Sequence, residues 1–194
     1  KFLLVKRLFR FLQFPFLPNA SKWGVKGKKW FEDEIIYQIY SDGTHLQFSM
    51  NYHRVIIQLM TWAIRISKIH EDYFHKDVID KAIKSLKFLD SCIDPISGKT
   101  PNFGSNDGAL FFKFSDDDFR NYKSQLDDLR SVIFGNTKYN SKSHNWYGLN
   151  CKNISDNSHL GIKKYINGGY YLINEKKTKT FIKCGAYKDR PCQS

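Results

Sequence analysis

Apolar positions recur at helical spacing along the first two-thirds of the chain. Trp30, Phe31, Ile35, Ile36 and Ile39 predict one helix that ends at Ser41-Asp42-Gly43, with Gly24 and Gly27 weakening its front. A second helix is predicted from about Met50 to His70, with Ser49 as its N-cap. Tyr52, Val55, Leu59, Ala63 and Ile66 share one face, and Ile57, Met60 and Ile64 another, so this helix is expected to be buried on most sides. A third helix covers about Lys76 to Cys92, turning Val78, Ile79, Ala82, Ile83, Leu86 and Leu89 inward. Asp94-Pro95 and Gly98 break that pattern. A fourth is predicted after Ser115, on the spacing of Phe119, Tyr122, Leu126, Leu129 and Ile133.

The texture then changes. Residues 135–160 are rich in Asn, Ser, Lys and Gly and read as loops. Tyr170 to Ile173 and Thr180 to Lys183 are β-prone, and Glu175-Lys176-Lys177 between them predicts a hairpin. The expected class is α+β, with a helical domain over 1–160 and the start of a β domain over 161–194. That β portion is too short to fold alone. The stretch from Lys1 to Pro18 is apolar but interrupted by Lys6, Arg7 and Arg10. It is too charged to span a bilayer and lacks the cleavage site of a signal peptide, so it reads as part of a core helix, with a membrane-surface helix as the other reading. Residue 1 lies inside this run, and neither end resembles a natural terminus, so a fragment of a longer protein is expected.

The net charge of +12 suits a polyanionic partner: nucleic acid, anionic lipid or acidic polysaccharide. Its plainer source is a Lys-, Asn- and Ile-rich composition, since the basic residues are scattered and form no long arm. Cys92, Cys151, Cys184 and Cys192 show no C-x-x-C spacing, and the six histidines form no H-x-x-x-H pair, so neither a metal nor another cofactor is expected.

Two strings stand out chemically. Asp42-Gly43 turns the chain into a short polar stretch that delivers Tyr52 and His53 to the first turn of the second helix. Free backbone N–H groups and the helix dipole there favour an anion, such as a bound carboxylate, and suit proton transfer beside it. The plainer reading makes Tyr52 a core aromatic and His53 a capping residue. The second string, Pro101 to Leu110, carries two glycines and several short polar side chains; it reads as a ligand-orienting loop or simply as turn chemistry.

Together these strings carry a resemblance. Asp42-Gly43 followed by Gln47, Ser49, Tyr52 and His53 gives D-G-x-x-x-Q-x-S-x-x-Y-H, and Asn102 to Gly108 gives N-F-G-x-N-D-G. With Gly168-Gly169-Tyr170 and Cys184-Gly185 they stand in the order of the heparinase II/III and alginate-lyase group, which the chain resembles over nearly its whole length. The resemblance implies an incomplete α/α toroid followed by an antiparallel β-sandwich. It implies β-elimination on a uronic-acid polysaccharide, the glycosaminoglycans among the candidates. Tyr52 matches the catalytic tyrosine that protonates the leaving oxygen, and a further role as base requires a lowered phenol pKa. His53, Gln47, Asn102, Asn106 and Asp107 are carried as substrate-binding candidates, although Gln47 stands where many relatives have Glu. The family's carboxylate-holding Asn or Asn-His falls before residue 1 by this count, and its second catalytic His falls after Ser194, so the chain alone is expected to be inactive.

The expected partner is an acidic polysaccharide, with no nucleic acid and no stable membrane insertion; the expected location is periplasmic or extracellular. Two other readings stay open. An inverting glycoside hydrolase would need two carboxylates about 6.5–9.5 Å apart, for which Asp107 and Asp116-Asp117-Asp118 are available. A non-catalytic polyanion-binding module would use the charge and the aromatics.

Overall fold

A computed structural model describes residues 16–154 and 160–185. Four α-helices come first: α1 (Ala20–Gln38), α2 (Met50–Ile69), α3 (Lys76–Cys92) and α4 (Lys123–Phe134). A two-residue parallel pair follows, β1 (Asn136–Thr137) with β2 (Lys152–Asn153), with a short 3-10 helix, Ser143–Tyr147, between them. Then β3 (Gly161–Tyr165), β4 (Tyr170–Asn174) and β5 (Lys179–Lys183) form an antiparallel sheet with β4 in the centre. The architecture is therefore α+β. The apolar, basic stretch at the start lies mostly outside the described residues.

The helices form where the pattern predicts them. On α2, Ser49 Oγ accepts from the Tyr52 backbone N–H at 3.1 Å, satisfying one of the orphan donors at the N-terminus; such a cap is worth about 1 kcal/mol. On α1 the buried stripe is Ala20, Gly24, Gly27, Phe31 and Ile35, while Ile36 and Tyr37 face outward. The two glycines fall on the packed face, and the helix runs through both.

The last helix begins later than its apolar spacing suggests. Asp118 Oδ1 accepts from the Arg120 N–H and Asn121 Oδ1 from the Lys123 N–H, so short polar side chains hold 118–122 in turns. Phe119 lies before the helix, and the Asp116-Asp117-Asp118 run belongs to the loop rather than to a first helical turn. The hairpin of Tyr170 to Lys183 is present, with Tyr170 opposite Lys183 and Leu172 opposite Phe181. β3 and the 3-10 helix arise within or beside the region read as loop.

Helices and sheet share one core. Tyr170 and Leu172, alternate residues of β4, are buried against the helical layer. The Tyr170 ring lies 5.1 Å from Phe88 of α3, 6.3 Å from Phe48 and 6.1 Å from Phe103. The opposite face of the sheet leaves Ile162 and Ile182 exposed.

Candidate functional site

The structure brings together all three strings that the sequence singles out. Asp42 sits at the centre of the first junction. Its Oδ1 accepts from the Thr44 N–H and hydroxyl, and its Oδ2 accepts from the N–H groups of Asn167 and Gly168 at 2.7 and 3.1 Å. The Asp-Gly turn therefore ties the helical layer to the β3–β4 turn. Gly43 has φ +91°, and a Cβ there would overlap the Lys84 backbone. Gly169 packs in turn on Cys184 and Gly185, and the Cys184 N–H donates to Gly169 O at 2.7 Å.

The second junction joins the loop of Pro101 to Leu110 to the head of α2. The Met50 N–H donates to Phe103 O at 3.0 Å, and Ser49 Oγ donates to Ser105 O at 2.6 Å. Gly104, at φ +79°, lies so close that a Cβ would stand 2.5 Å from Phe48 O and 2.6 Å from Ser49 Cα. Within the loop Asn106 Nδ2 donates to Asn102 Oδ1 at 3.0 Å, and Asn106 Oδ1 accepts from the Gly108 N–H.

This packing sets Asp107 over Tyr52. The Tyr52 hydroxyl donates to Asp107 Oδ2 at 2.5 Å, while Asp107 Oδ1 accepts from the Ala109 N–H at 3.1 Å. Tyr52 is half-buried, and Asp107 is exposed, so the phenolic oxygen lies at the surface and not in the core. The hydrogen bond to Asp107, then burial, then the carboxylate's charge raise the Tyr52 pKa above that of an ordinary phenol. The same bond, helped by the Ala109 N–H, lowers that of Asp107. Both shifts keep the proton on the phenol. Lowering of the phenol by neighbouring cations, which a base role would require, is the opposite of what this contact does.

The other candidates divide. Asn102, Asn106 and Asp107 are exposed on the loop, beside Tyr52. Gln47 is half-buried in the turn that precedes α2. His53, carried as a substrate-binding candidate, lies in the interior at 2% exposure, where it cannot touch a ligand at the surface. Its ring stacks on Phe88 at 5.2 Å and its Nε2 pairs with Ser85 Oγ at 2.5 Å. Burial, and then the neighbouring His45, hold it well below the usual histidine range. One residue along a helix from a surface tyrosine, the side chain points about 100° away, here into the core.

Residues that sequence reasoning passed over include Asn51, Arg54 and Gln58, buried polar side chains of α2; Arg54 and Gln58 bond to the segment after Asp107, and Asn51 accepts from Arg54. Their i, i+3, i+7 spacing within an otherwise apolar helix is the signal that marks them. Among the described residues no group of His, Cys, Asp and Glu is arranged to hold a metal ion, and no helix is long and apolar enough to cross a membrane.

The family model described as the heparinase II/III N-terminus matches residues 6–123. Among solved structures, the chain is similar to the heparan sulfate lyase HepC from Pedobacter heparinus, with a TM-score of 0.64 and 19% identity over 92% of this chain and 26% of that one. A structure of heparinase III gives a TM-score of 0.64 at 20% identity, covering 92% of this chain and 27% of that one. The heparinase III BT4657 gene product gives 0.67 at 16% identity, covering 95% of this chain and 28% of that one. At these identities the likeness is one of fold, and the chain spans about a quarter of the length of those structures. No curated protein sequence matches the chain. With a family model matched over more than half of its residues, the chain belongs to the heparinase II/III family.

Proposed function

We propose that the protein to which this chain belongs is a polysaccharide lyase that cleaves a uronic-acid-containing polysaccharide, of glycosaminoglycan type, by β-elimination, with Tyr52 as the acid. Family membership and the heparinase fold support the reaction class. The observation that carries the residue assignment is the Tyr52 hydroxyl at the surface, held by Asp107 at the rim of a loop of polar side chains.

The chemistry balances as follows. A base removes the proton on C5, the electron pair forms the C4=C5 double bond, and the C4–O bond breaks. Tyr52 delivers its proton to the departing oxygen, which leaves as a neutral hydroxyl. A phenol held protonated has a proton to give and no free oxyanion with which to abstract one from carbon. The proposal therefore gives Tyr52 the acid role and leaves the base, and the group that neutralises the substrate carboxylate, to residues outside this chain. On this reading the chain alone is inactive, its helices are part of an α/α toroid, and its sheet is the beginning of a β-sandwich. Asn102, Asn106 and Gln47 are proposed to contact the sugar.

An inverting hydrolase finds less support. Asp117 accepts from Asn121 Nδ2 and Asp118 from the Arg120 N–H, so two of the three acids of the run serve the turn before α4. The test is the product. Incubation of the complete protein with heparan-type, alginate-type and other uronate chains should give the ultraviolet absorbance of an unsaturated uronate, and cleavage without that absorbance would replace elimination by hydrolysis.

A further inference from the structure

Asn51, Arg54 and Gln58 form a polar stripe on α2, each at most 3% exposed. Burying an amide or a guanidinium costs several kcal/mol unless its hydrogen bonds are remade. Apolar side chains would pack this face at lower cost. What Arg54 and Gln58 do is hold the segment after Asp107. Gln58 Nε2 donates to Phe112 O at 2.6 Å while its Oε1 accepts from the Phe111 N–H at 3.0 Å, so one side-chain amide holds two consecutive residues of that backbone. Arg54 donates to the carbonyls of Phe119 and Ala109 and, at 2.7 Å, to Asn51 Oδ1. Its guanidinium lies 4.3 Å from the Phe119 ring centroid and 4.4 Å from that of Tyr122, with no carboxylate paired to it among the described residues.

The segment is thus fixed in register along α2, and Asp107 stands at its head. Asp107 is exposed, and its other oxygen accepts from the Ala109 N–H. A single exposed phenol–carboxylate bond exchanges readily with water; it becomes a fixed feature when the backbone that carries the carboxylate cannot move. Ala109 links the two ends of this chain of contacts, because its N–H orients Asp107 and its carbonyl accepts from Arg54.

We infer that Gln58 and Arg54 are positioning residues which, through Asp107, set the direction in which the Tyr52 hydroxyl points. The inference rests on the reading of Tyr52 as the acid. Asp107 supplies the charge that acts on the phenol among the described residues; Arg54, the nearest cation in sequence, interacts instead with Tyr122 and Arg120, and His53 is held neutral.

The experiment uses the complete protein carrying Asp107→Asn, Gln58→Leu, or both. Two quantities are read: the titration of the Tyr52 phenol by NMR with labelled tyrosine, assigned through Tyr52→Phe, and the pH profiles of kcat and KM. Asp107→Asn should bring the phenol titration down toward the ordinary value. Gln58→Leu should move it in the same direction, and the double variant should exceed neither single effect by much. Each should lower kcat by on the order of tenfold with KM little changed. Gln58→Leu that lowers Tm yet leaves the phenol titration and pH profile of the wild type would overturn the inference and leave Gln58 a packing residue. Should Gln58→Leu fail to fold, Gln58→Met, which fills a similar volume and removes both bonds, gives the same readout. Activity surviving Tyr52→Phe, with the titration shifts still seen, would refute the lyase assignment and leave the positioning intact.

Discussion

Asp42 and Gly168 join the two layers of the molecule: one carboxylate oxygen of Asp42 accepts from the Gly168 N–H, and Gly168 packs so closely on Thr44 that it has no room for a side chain. The Asp-Gly and Gly-Gly strings, far apart in sequence, are thus two halves of one contact. The first string's acid belongs to architecture, and its tyrosine, ten residues on, to the proposed chemistry.

Removing that contact should loosen the sheet from the helices. Asp42→Ala deletes an acceptor used by four donors, two of them across the layers. A destabilisation of roughly 2–3 kcal/mol is expected, with hydrogen exchange rising first in β3 and β4. Thermal unfolding with exchange mass spectrometry checks this, and an effect confined to 40–50 would contradict it.

Gly104→Ala should separate the loop from the head of α2. The left-handed backbone and the close approach of Phe48 O and Ser49 Cα both oppose a side chain, and both neighbours are backbone that cannot rotate away. The expected cost is at least about 1 kcal/mol, together with loss of the Tyr52–Asp107 contact. A variant as stable as the wild type, with an unchanged Tyr52 titration, would show that the loop does not need this approach.

Two buried groups should change stability in opposite senses below about pH 7. His53 is depressed in the folded protein, so below the ordinary histidine value the unfolded chain takes up a proton that the folded one refuses, and stability falls as pH drops through about 6.5. Asp128 runs the other way. Burial pushes its carboxyl up to about 7, so the unfolded chain ionises first and stability declines as pH rises from about 4 toward 7. Asp128→Asn keeps an acceptor for the Ser143 hydroxyl and removes the charge. Denaturant unfolding across this range should show the variant gaining on the wild type as pH rises; parallel curves would argue against a buried, raised carboxyl.

The sequence made much of this legible, through periodicity. α2 and α3 match their predicted spans to within a residue, but Tyr52, Leu59, Ile79 and Ile83 are only half-buried and α2 buries Asn51, His53, Arg54 and Gln58 beside its apolar residues. The start of α4 was not legible: the apolar spacing of Phe119 and Tyr122 fits a helix, but Asp118 and Asn121 capture backbone N–H groups and hold turns instead. β3 was hidden because its residues are largely exposed, so that Lys163 and Lys164 blur any alternation. At the site, a surface tyrosine on a buried helix could be read from its motif. That its neighbour His53 points inward, and that Asp107 from a distant loop meets the phenol, depend on packing that no local pattern encodes.

The central claim is that the Tyr52 phenol performs the proton transfer to the leaving oxygen. Tyr52→Phe in the complete protein removes one oxygen at a half-buried position and leaves the ring in place. The account predicts a folded protein of near wild-type stability whose release of unsaturated uronate, followed by ultraviolet absorbance, falls by about a hundredfold or more. Undiminished release by that folded variant would contradict it.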